Sequence, residues 1–368
     1  MPELLEKPRT CEPLGLIPRE RLTYLPLKHW AAHEFCFHLH DQMVMLAKGF
    51  ENEKLHNVTV KFRDEDDAKA FSDAENFYDY LDQTGRQELS KKIVLNQIIV
   101  PIFSDFLHFV YEALKALEKR KLTFAISVLR KPLKENFPIA TLMLVDQDEF
   151  YRRLKTSPYK SFKGEEFSKQ FRLSMWEKLA KFDEHFEIVN GELIETILFD
   201  HRDNYGFAAL FDKANHLTTH YETVRTEPLN LNFIFSNPER DDLYDHIYPR
   251  LAYCLRIARD VMHDLMANRA PINPAYRDLD FEIADAAFFS LFIKGKSPYL
   301  SRFKRLFEDF LICQNCKTKL TILANNAPKF FTKEICECSV CGYSNRVPVE
   351  WLLSVYTDEI IKRFDSDN

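Results

Sequence analysis

The sequence predicts a mainly α-helical protein, with a multi-helix body followed by a small C-terminal β-rich module. Apolar residues recur at helical spacing through most of the chain. Only 8 of the 368 residues are glycine, against roughly 7% in an average protein, so hairpin turns that need positive φ must be few. Near the C-terminal end the pattern changes, and two Cys-x2-Cys pairs stand at Cys313/Cys316 and Cys338/Cys341.

The composition limits the class of protein. A chain that is 46% hydrophobic and 14% aromatic can bury a large core and is not disordered. Neither G-x-G-x-x-G nor G-x-x-x-x-G-K-[ST] occurs, so nucleotide binding by the standard glycine-rich loops is not expected. The longest apolar stretch, residues 93–111, is interrupted by Pro101, Asp105 and several other polar residues. It therefore predicts a buried core helix and no membrane partner.

Proline positions and apolar periodicity place the elements of the body. Five prolines in residues 1–27 favour an extended N-terminal arm. A short alternating strand is predicted at 56–62. Pro101, Pro132 and Pro249 are each expected to kink or interrupt a helix. Within the body, residues 28–310, the predicted helices cover 27–47, 64–81, 88–119, 121–137, 139–154, 165–182, 186–199, 207–224, 241–268, 280–292 and 299–312.

The C-terminal module is expected to span residues 311–368. Alternating segments predict strands at 317–323 and 346–351, with a turn at Asn325–Pro328 and a closing helix at 351–364. The opening residues show neither a basic n-region nor an apolar h-region, so we expect a cytoplasmic protein. Paired cysteines in such a protein indicate a metal site and not disulfides.

The four cysteines of the two pairs carry the clearest chemical signal. The module resembles a zinc ribbon over about 40 residues, and the resemblance implies Zn²⁺ bound by Cys313, Cys316, Cys338 and Cys341. A four-cysteine site leaves no coordination position open, so the zinc is expected to be structural. Cys336 is a fifth cysteine, predicted to face away from the metal although it could exchange with Cys338.

The module is also basic. Residues 294–346 contain ten Lys and Arg against four Asp and Glu, a net charge of +6, which leaves −12 for the rest of a chain whose total is −6. This asymmetry favours an anionic partner, either nucleic acid, RNA included, or a protein. Docking of the module on the acidic body is the alternative. The candidate binding residues are Lys317, Lys319, Lys329, Lys333 and Arg346.

The helix predicted at 241–268 suggests an enzymatic alternative. Arg256 and His263 lie two turns apart and about 20° from each other on the helical wheel. Their spacing resembles the R-x4–6-H motif of HEPN-type ribonucleases. The resemblance implies metal-independent attack by a ribose 2′-OH on the neighbouring phosphate, with Arg256 and His263 as catalytic residues, often across a homodimer interface. The other interpretation is a solvated polar face opposite a buried one.

Two further polar patterns occur in the body. Arg130 and Glu135 stand among apolar residues, which predicts a buried ion pair or, alternatively, a substrate clamp. A stripe on the first helix predicts a semi-polar seam against a neighbouring helix, although part of it could bind metal. The stripe consists of His29, His33, Cys36 and His40.

Overall fold

Helices make up most of the chain, as the sequence predicts. The computed structural model describes residues 5, 8–9, 11–162, 167–203, 205–220, 225–232, 241–268, 274–293 and 298–355. Its longer helices are α1 (Trp30–Asn52), α4 (Gln87–Glu118), α12 (Asp242–Ala267) and α13 (Pro274–Phe292). The shorter ones are α2 (Glu65–Asp73), α3 (Phe77–Gln83), α5 (Leu122–Lys131), α6 (Phe137–Val145), α7 (Gln147–Thr156), α8 (Pro158–Ser161), α9 (Lys169–Ala180), α10 (Gly191–Leu198), α11 (Phe207–Asn215), α14 (Pro298–Leu306), α15 (Ala327–Lys333) and α16 (Val349–Val355).

Side-chain caps explain where the sequence misplaced boundaries. The helix predicted at 64–81 is two helices, because the Asn76 side chain accepts the N–H groups of Tyr78 and Asp79 and starts α3 anew. The helix predicted at 207–224 ends at Asn215; residues 221–224 lie outside the described part of the chain. Residues 57–62 form neither helix nor strand, so the strand predicted at 56–62 is wrong, and Val58 and Val60 pack against the small cluster beside α3 instead.

The prolines act differently from one another. Pro101 and Pro249 lie inside α4 and α12, and neither helix is interrupted there. Pro132 does interrupt, since residues Pro132–Asn136 form a π-helical turn between α5 and α6. Such turns are rare and often accompany functional sites.

The core of the body is built where α1 packs against α12 and α4. The stripe on α1 and the turn before it forms a semi-polar seam against α12, as predicted, since His29, His33 and Cys36 are fully buried and His33 contacts Tyr248. Nδ1 of His33 is hydrogen-bonded to the Tyr248 hydroxyl, 2.9 Å away. Nε2 of the same ring lies 3.4 Å from a carboxylate oxygen of Glu118. Burial lowers the pKa of His33 and brings that of His29 to about 4, so both rings are neutral at pH 7.

The N-terminal arm lies on the body. Its backbone N–H groups at Leu14, Leu16 and Ile17 all donate to the buried carboxylate of Glu34 on α1, at 2.6–3.0 Å. Nearer the N-terminus, the Arg9 backbone N–H donates to the Leu291 carbonyl close to the end of α13. The arm is therefore held by specific hydrogen bonds and not only by apolar contact.

By length and composition alone, α4 is the one described helix that could cross a membrane, and 44% of its most apolar window is buried. Buried core helices of soluble proteins pass the same test.

The C-terminal module differs from the prediction in its strands. Its sheet pairs β1 (Ile335–Glu337) with β2 (Ser344–Arg346), antiparallel, with Cys336 opposite Asn345. The strand predicted at 317–323 is wrong, since only a single bridge joins Ile312 to Lys319 there. The alternation arises because Leu320 and Ile322 are buried beneath an irregular segment.

Helix α15 was not predicted, and it joins the module to the body. It begins at Ala327, within the turn expected at Asn325–Pro328, and packs against α13. The rings of Phe330 and Phe331 contact Phe303 of α14 edge-on, with centroids 5.9 and 4.9 Å apart. Module and body thus share one hydrophobic core. The closing helix begins at Val349, and its predicted continuation to 364 lies outside the described residues.

Candidate metal centre and the charged face of α12

The four predicted cysteines converge on one point. The sulfur atoms of Cys313, Cys316, Cys338 and Cys341 all lie within 4.8 Å of one another. The Cys313–Cys341 and Cys316–Cys338 sulfur pairs are each 3.6 Å apart. A tetrahedral ion with metal–sulfur bonds of about 2.3 Å requires sulfur separations of roughly 3.8 Å. The arrangement is therefore that of a four-thiolate metal site.

Two matching backbone turns present these sulfurs. In the first, the Cys313 N–H donates to the Thr318 carbonyl and the Lys317 N–H donates to the Cys313 carbonyl. The second repeats both bonds, from the Cys338 N–H to Tyr343 and from the Gly342 N–H to Cys338. The residue after the second cysteine has positive φ in each turn, 59° at Lys317 and 70° at Gly342. Lysine thus takes the left-handed conformation that glycine adopts at no steric cost.

Asn345 connects the two turns, and sequence reasoning missed it. Its buried amide oxygen accepts the Gln314 N–H at 2.8 Å, while its amide nitrogen donates to the Tyr343 carbonyl at 2.9 Å. The same nitrogen lies 3.7 Å from the Cys313 sulfur. Substitution of residues that hold metal ligands in this way typically lowers metal affinity by about 10- to 100-fold. No motif marks this asparagine in the sequence; its role follows from the side-chain hydrogen bonds that it makes in the folded module.

Hydrogen bonding favours the thiolate form at one ligand. The hydroxyl and the backbone N–H of Thr318 stabilise a charged Cys316 sulfur and lower its pKa to about 6. Cys336, in contrast, is buried in β1 with its sulfur 3.9 Å from the Thr321 carbonyl, and burial raises its pKa. Among the described residues, the metal-ligand cluster in the module contains the four paired cysteines and not Cys336.

The five basic candidates of the module all have partners within the chain. Lys319 pairs with Glu308, Lys329 with Glu337 at 2.8 Å, and Arg346 with Glu334 at 3.4 Å. The remaining two bind carbonyls, Lys333 that of Gly15 in the arm at 2.6 Å and Lys317 that of Gln314 at 3.0 Å. The Lys333 bond ties the module to the arm.

Arg256 is fully buried. Its guanidinium lies 2.5 Å from the Asp285 carboxylate on α13 and 3.1 Å from Asp260. The neighbouring Arg259 is equally buried and pairs with Asp260 and Asp280. The face of α12 expected to be solvated is thus covered by α13. Its charges are tolerated because each guanidinium meets carboxylates.

His263 lies on the same buried face but borders a cavity. This cavity has a volume of about 600 Å³, and His38, Arg259 and His263 line it together. Three carboxylates, those of Asp41, Glu53 and Asp280, also line it. Arg256 is not among the lining residues, so the structure does not bring the two members of the predicted motif to one cavity.

A second cluster of metal-ligating types lies at the end of this face. Ligand atoms of Asp183, His185 and Asp264 come within 4.8 Å of one another. The Arg277 guanidinium lies 2.8 Å from Asp183 and 3.6 Å from Asp264, so a cation is already present. Burial alone would raise the pKa of the Asp264 carboxyl, but hydrogen bonds from His185 and His263 lower this pKa to about 2. The cluster is explained as an internal ion-pair network.

No family model, curated protein or solved structure matches this chain.

Proposed function

We propose that the chain is a zinc protein, with one structural Zn²⁺ held by Cys313, Cys316, Cys338 and Cys341, whose module binds a protein partner. Four thiolates in a tetrahedral arrangement suit Zn²⁺ better than oxygen-seeking cations. All four positions are filled by protein, which leaves none for a substrate or water. The metal's task is then to hold the two turns and the surface around them.

The surface chemistry of the module favours a protein over nucleic acid. Lys319, Lys329 and Arg346 each have a neighbouring carboxylate of the module or its border, and these carboxylates reduce the positive potential that the surface offers to a phosphate. At the same time apolar side chains stand exposed around the metal turns, Val340 by 68% and Tyr343 by 45%. Aromatic and apolar residues at a rigid tip are typical of protein interfaces. The proposal is supported by this combination of basic side chains that have carboxylate neighbours with apolar side chains that are exposed.

Site-specific crosslinking tests the partner. A photoreactive phenylalanine analogue is placed at Tyr343 and, as the matched control, at Phe124, which is 53% exposed on α5. In cells of the source organism, we expect a discrete protein adduct at Tyr343, lost on Val340→Asp and absent at Phe124. Adducts that disappear on nuclease treatment would instead identify nucleic acid and overturn the assignment to protein.

A second candidate function is HEPN-type ribonuclease activity at the cavity beside α12. It is favoured by one observation, that His263 lines this cavity with His38 and Arg259. Two imidazoles beside a guanidinium can transfer protons and hold a phosphate. The three lining carboxylates oppose it, because they repel a polyanion, and the burial of Arg256 denies that residue contact with substrate.

RNA cleavage assays decide this candidate. Wild type, His263→Ala and the exposed control His216→Ala are compared at equal concentration. Cleavage by wild type and His216→Ala that is lost in His263→Ala supports the ribonuclease. Cleavage by none of the three, or equally by all, removes it.

A further inference from the structure

A cavity beside the π-helical turn has no role in the metal site or in the proposed partner contact. Its volume is about 690 Å³, within the range of small-molecule sites. Its lining combines the cations Arg130, Lys134 and Arg172 with the aromatic rings of Phe162 and Phe199. Basic and aromatic side chains in one concave site are the combination that recognises an anion attached to a planar ring.

Lys134 is the centre of this site. It lies within the π-helical turn Pro132–Asn136 and is half-buried. Its ammonium group lies over the rings of Phe199, at 5.3 Å, and Phe211, at 5.9 Å. Among the described residues it has no carboxylate within ion-pair distance, unlike the neighbouring Lys131, which pairs with Asp105 at 2.8 Å.

Burial and the nearby charge of Arg130 lower the pKa of Lys134. Asp212 and Glu195 favour the charged form from beyond ion-pair distance, but they do not offset the burial of Lys134, so its charge is incompletely compensated. An anionic ligand would supply the missing charge. The π-helical turn, itself less stable than continuous α-helix, positions this ammonium at the cavity.

The other two cations have distinct positions. Arg172 is fixed, because its Nε lies 2.9 Å from Glu195 and its guanidinium stacks on Phe199 at 3.8 Å. Arg130 and Glu135 form a long pair, 3.4 Å, with both side chains 52% exposed. The prediction that this pair is buried is therefore wrong, since the π-helical turn places it at the mouth of the cavity. A pair so exposed is weak, and Arg130 can turn to a stronger anion.

The apolar residues that line the cavity provide a surface for the uncharged part of a ligand. Phe162 and Phe167 contact each other with centroids 6.2 Å apart on one side, and Pro138 and Ile139 add apolar surface. Flat rings offer a stacking surface to a heterocyclic base, and such stacking is tolerant of base identity.

We propose that this cavity binds a nucleotide, with its phosphate at Lys134 and Arg130 and its base against the phenylalanine wall. The same chemistry is offered by a free mononucleotide and by the end of a single-stranded nucleic acid. The proposal is independent of the zinc module, which contributes none of the lining residues.

Equilibrium binding to the full chain tests the site. Adenosine 5′-monophosphate, inorganic phosphate and a short single-stranded oligonucleotide are titrated into wild type, Lys134→Gln and the matched control Lys131→Gln. We expect saturable binding of the mononucleotide, weakened roughly tenfold or more by Lys134→Gln and little changed by Lys131→Gln. Inorganic phosphate should bind more weakly because it does not reach the aromatic wall.

The oligonucleotide distinguishes the source of the ligand. Tighter binding than the mononucleotide, again lost in Lys134→Gln, identifies the end of a chain; equal or weaker binding identifies a free nucleotide. Thermal unfolding shows whether Lys134→Gln is folded, and Phe162→Leu gives a second variant that leaves the charge intact and should weaken the mononucleotide but not phosphate. Absence of saturable mononucleotide binding, or equal affinity of Lys134→Gln and wild type, overturns the proposal.

Discussion

At the scale of single residues, Asn345 shows how much of a metal site lies outside its ligands. One buried amide accepts a hydrogen bond from the first cysteine turn, donates one to the second and approaches a ligand sulfur. Fixing both turns before metal arrives reduces the ordering that binding requires. The cysteines alone would leave the two turns free to separate.

Asn345→Ala should therefore weaken metal binding by about 10- to 100-fold without removing a ligand. Competition against a chelator of known affinity measures the change. Asn315→Ala is the matched control, because Asn315 is exposed in the first turn. A loss of equal size in both variants would contradict the role assigned to Asn345.

The two positive-φ positions predict opposite effects of substitution. Gly342→Ala places a side chain where φ is 70°, so we expect a loss of about 1 kcal/mol although the site is open. Lys317→Gly relieves the same strain at 59° and should stabilise the protein by a smaller amount, because glycine loses more backbone entropy on folding. Thermal unfolding of the metal-bound protein reports both. Shifts of the same sign would show that backbone strain does not decide stability at these turns.

At the scale of elements, Glu118 joins parts of the chain that are far apart in sequence. Its buried carboxylate, at the end of α4, pairs with Arg21 of the arm and with Lys115 at 3.2 Å. It also lies 3.4 Å from His33 of α1, which in turn bonds Tyr248 of α12. Arm, α1, α4 and α12 thus meet at one carboxylate.

This arrangement predicts an acid-sensitive stability. Burial alone would raise the pKa of Glu118, but hydrogen bonds from His33, Arg21 and Lys115 lower this pKa from 4.5 to about 2. Because the pKa of Glu118 is lower in the folded than in the unfolded protein, its ionised carboxylate stabilises the fold above pH 4.5. This stabilisation is lost as the pH falls towards 2. Since Arg21 and Lys115 are partly exposed to solvent, which weakens their ion pairs, we expect Glu118 to contribute about 1 to 2 kcal/mol to the free energy of unfolding at pH 7.

Urea unfolding between pH 7 and pH 3 measures this contribution. Glu118→Gln should be less stable than wild type at pH 7, and the difference should narrow with acidification. Glu177→Gln, which removes a carboxylate from an exposed i,i+4 pair with Lys181, is the control and should change little. A constant difference between Glu118→Gln and wild type across the pH range would exclude the linkage.

The elements also show where sequence reasoning succeeds. Long periodic helices such as α1, α4 and α12 were predictable because an apolar stripe must be buried whatever the neighbours are. Boundaries depended on single caps such as Asn76, and the fate of Pro132 depended on packing that no local pattern encodes. Strand pairing failed at 317–323, because alternation reports burial of every second residue and not the presence of a partner.

Among the residues of the candidate sites, some were also predictable from the sequence and others were not. The cysteine ligands were predictable because metal geometry restricts their spacing. Asn345 and Lys134 were not, because each acquires its role from residues distant in sequence. Arg256 and His263 share a helical face as expected, yet α13 covers that face and its carboxylates engage the guanidinium.

At the scale of the whole molecule, the module is built into the body and not attached by a linker. Phe330 and Phe331 share the core with Phe303, and Lys333 holds the arm. Metal removal should therefore affect more than the cysteine turns, but α12 and α1 have their own extensive core and should persist.

Hydrogen exchange with and without chelator measures this division. We expect faster exchange at the amides of residues 311–349 and at α14, and unchanged protection in α12. Protection lost throughout the chain would indicate that the body cannot fold without metal. Protection unchanged in the module would indicate that metal does not stabilise it.

The central claim is that four cysteines of this chain hold one structural Zn²⁺. Elemental analysis of purified wild type and Cys338→Ser, combined with thiol titration under native conditions, tests it most directly. We predict about one zinc per wild-type chain, slow reaction of the four ligand thiols until a chelator is added, and loss of zinc in Cys338→Ser. Wild type without stoichiometric zinc and with four freely reacting ligand thiols would contradict the account.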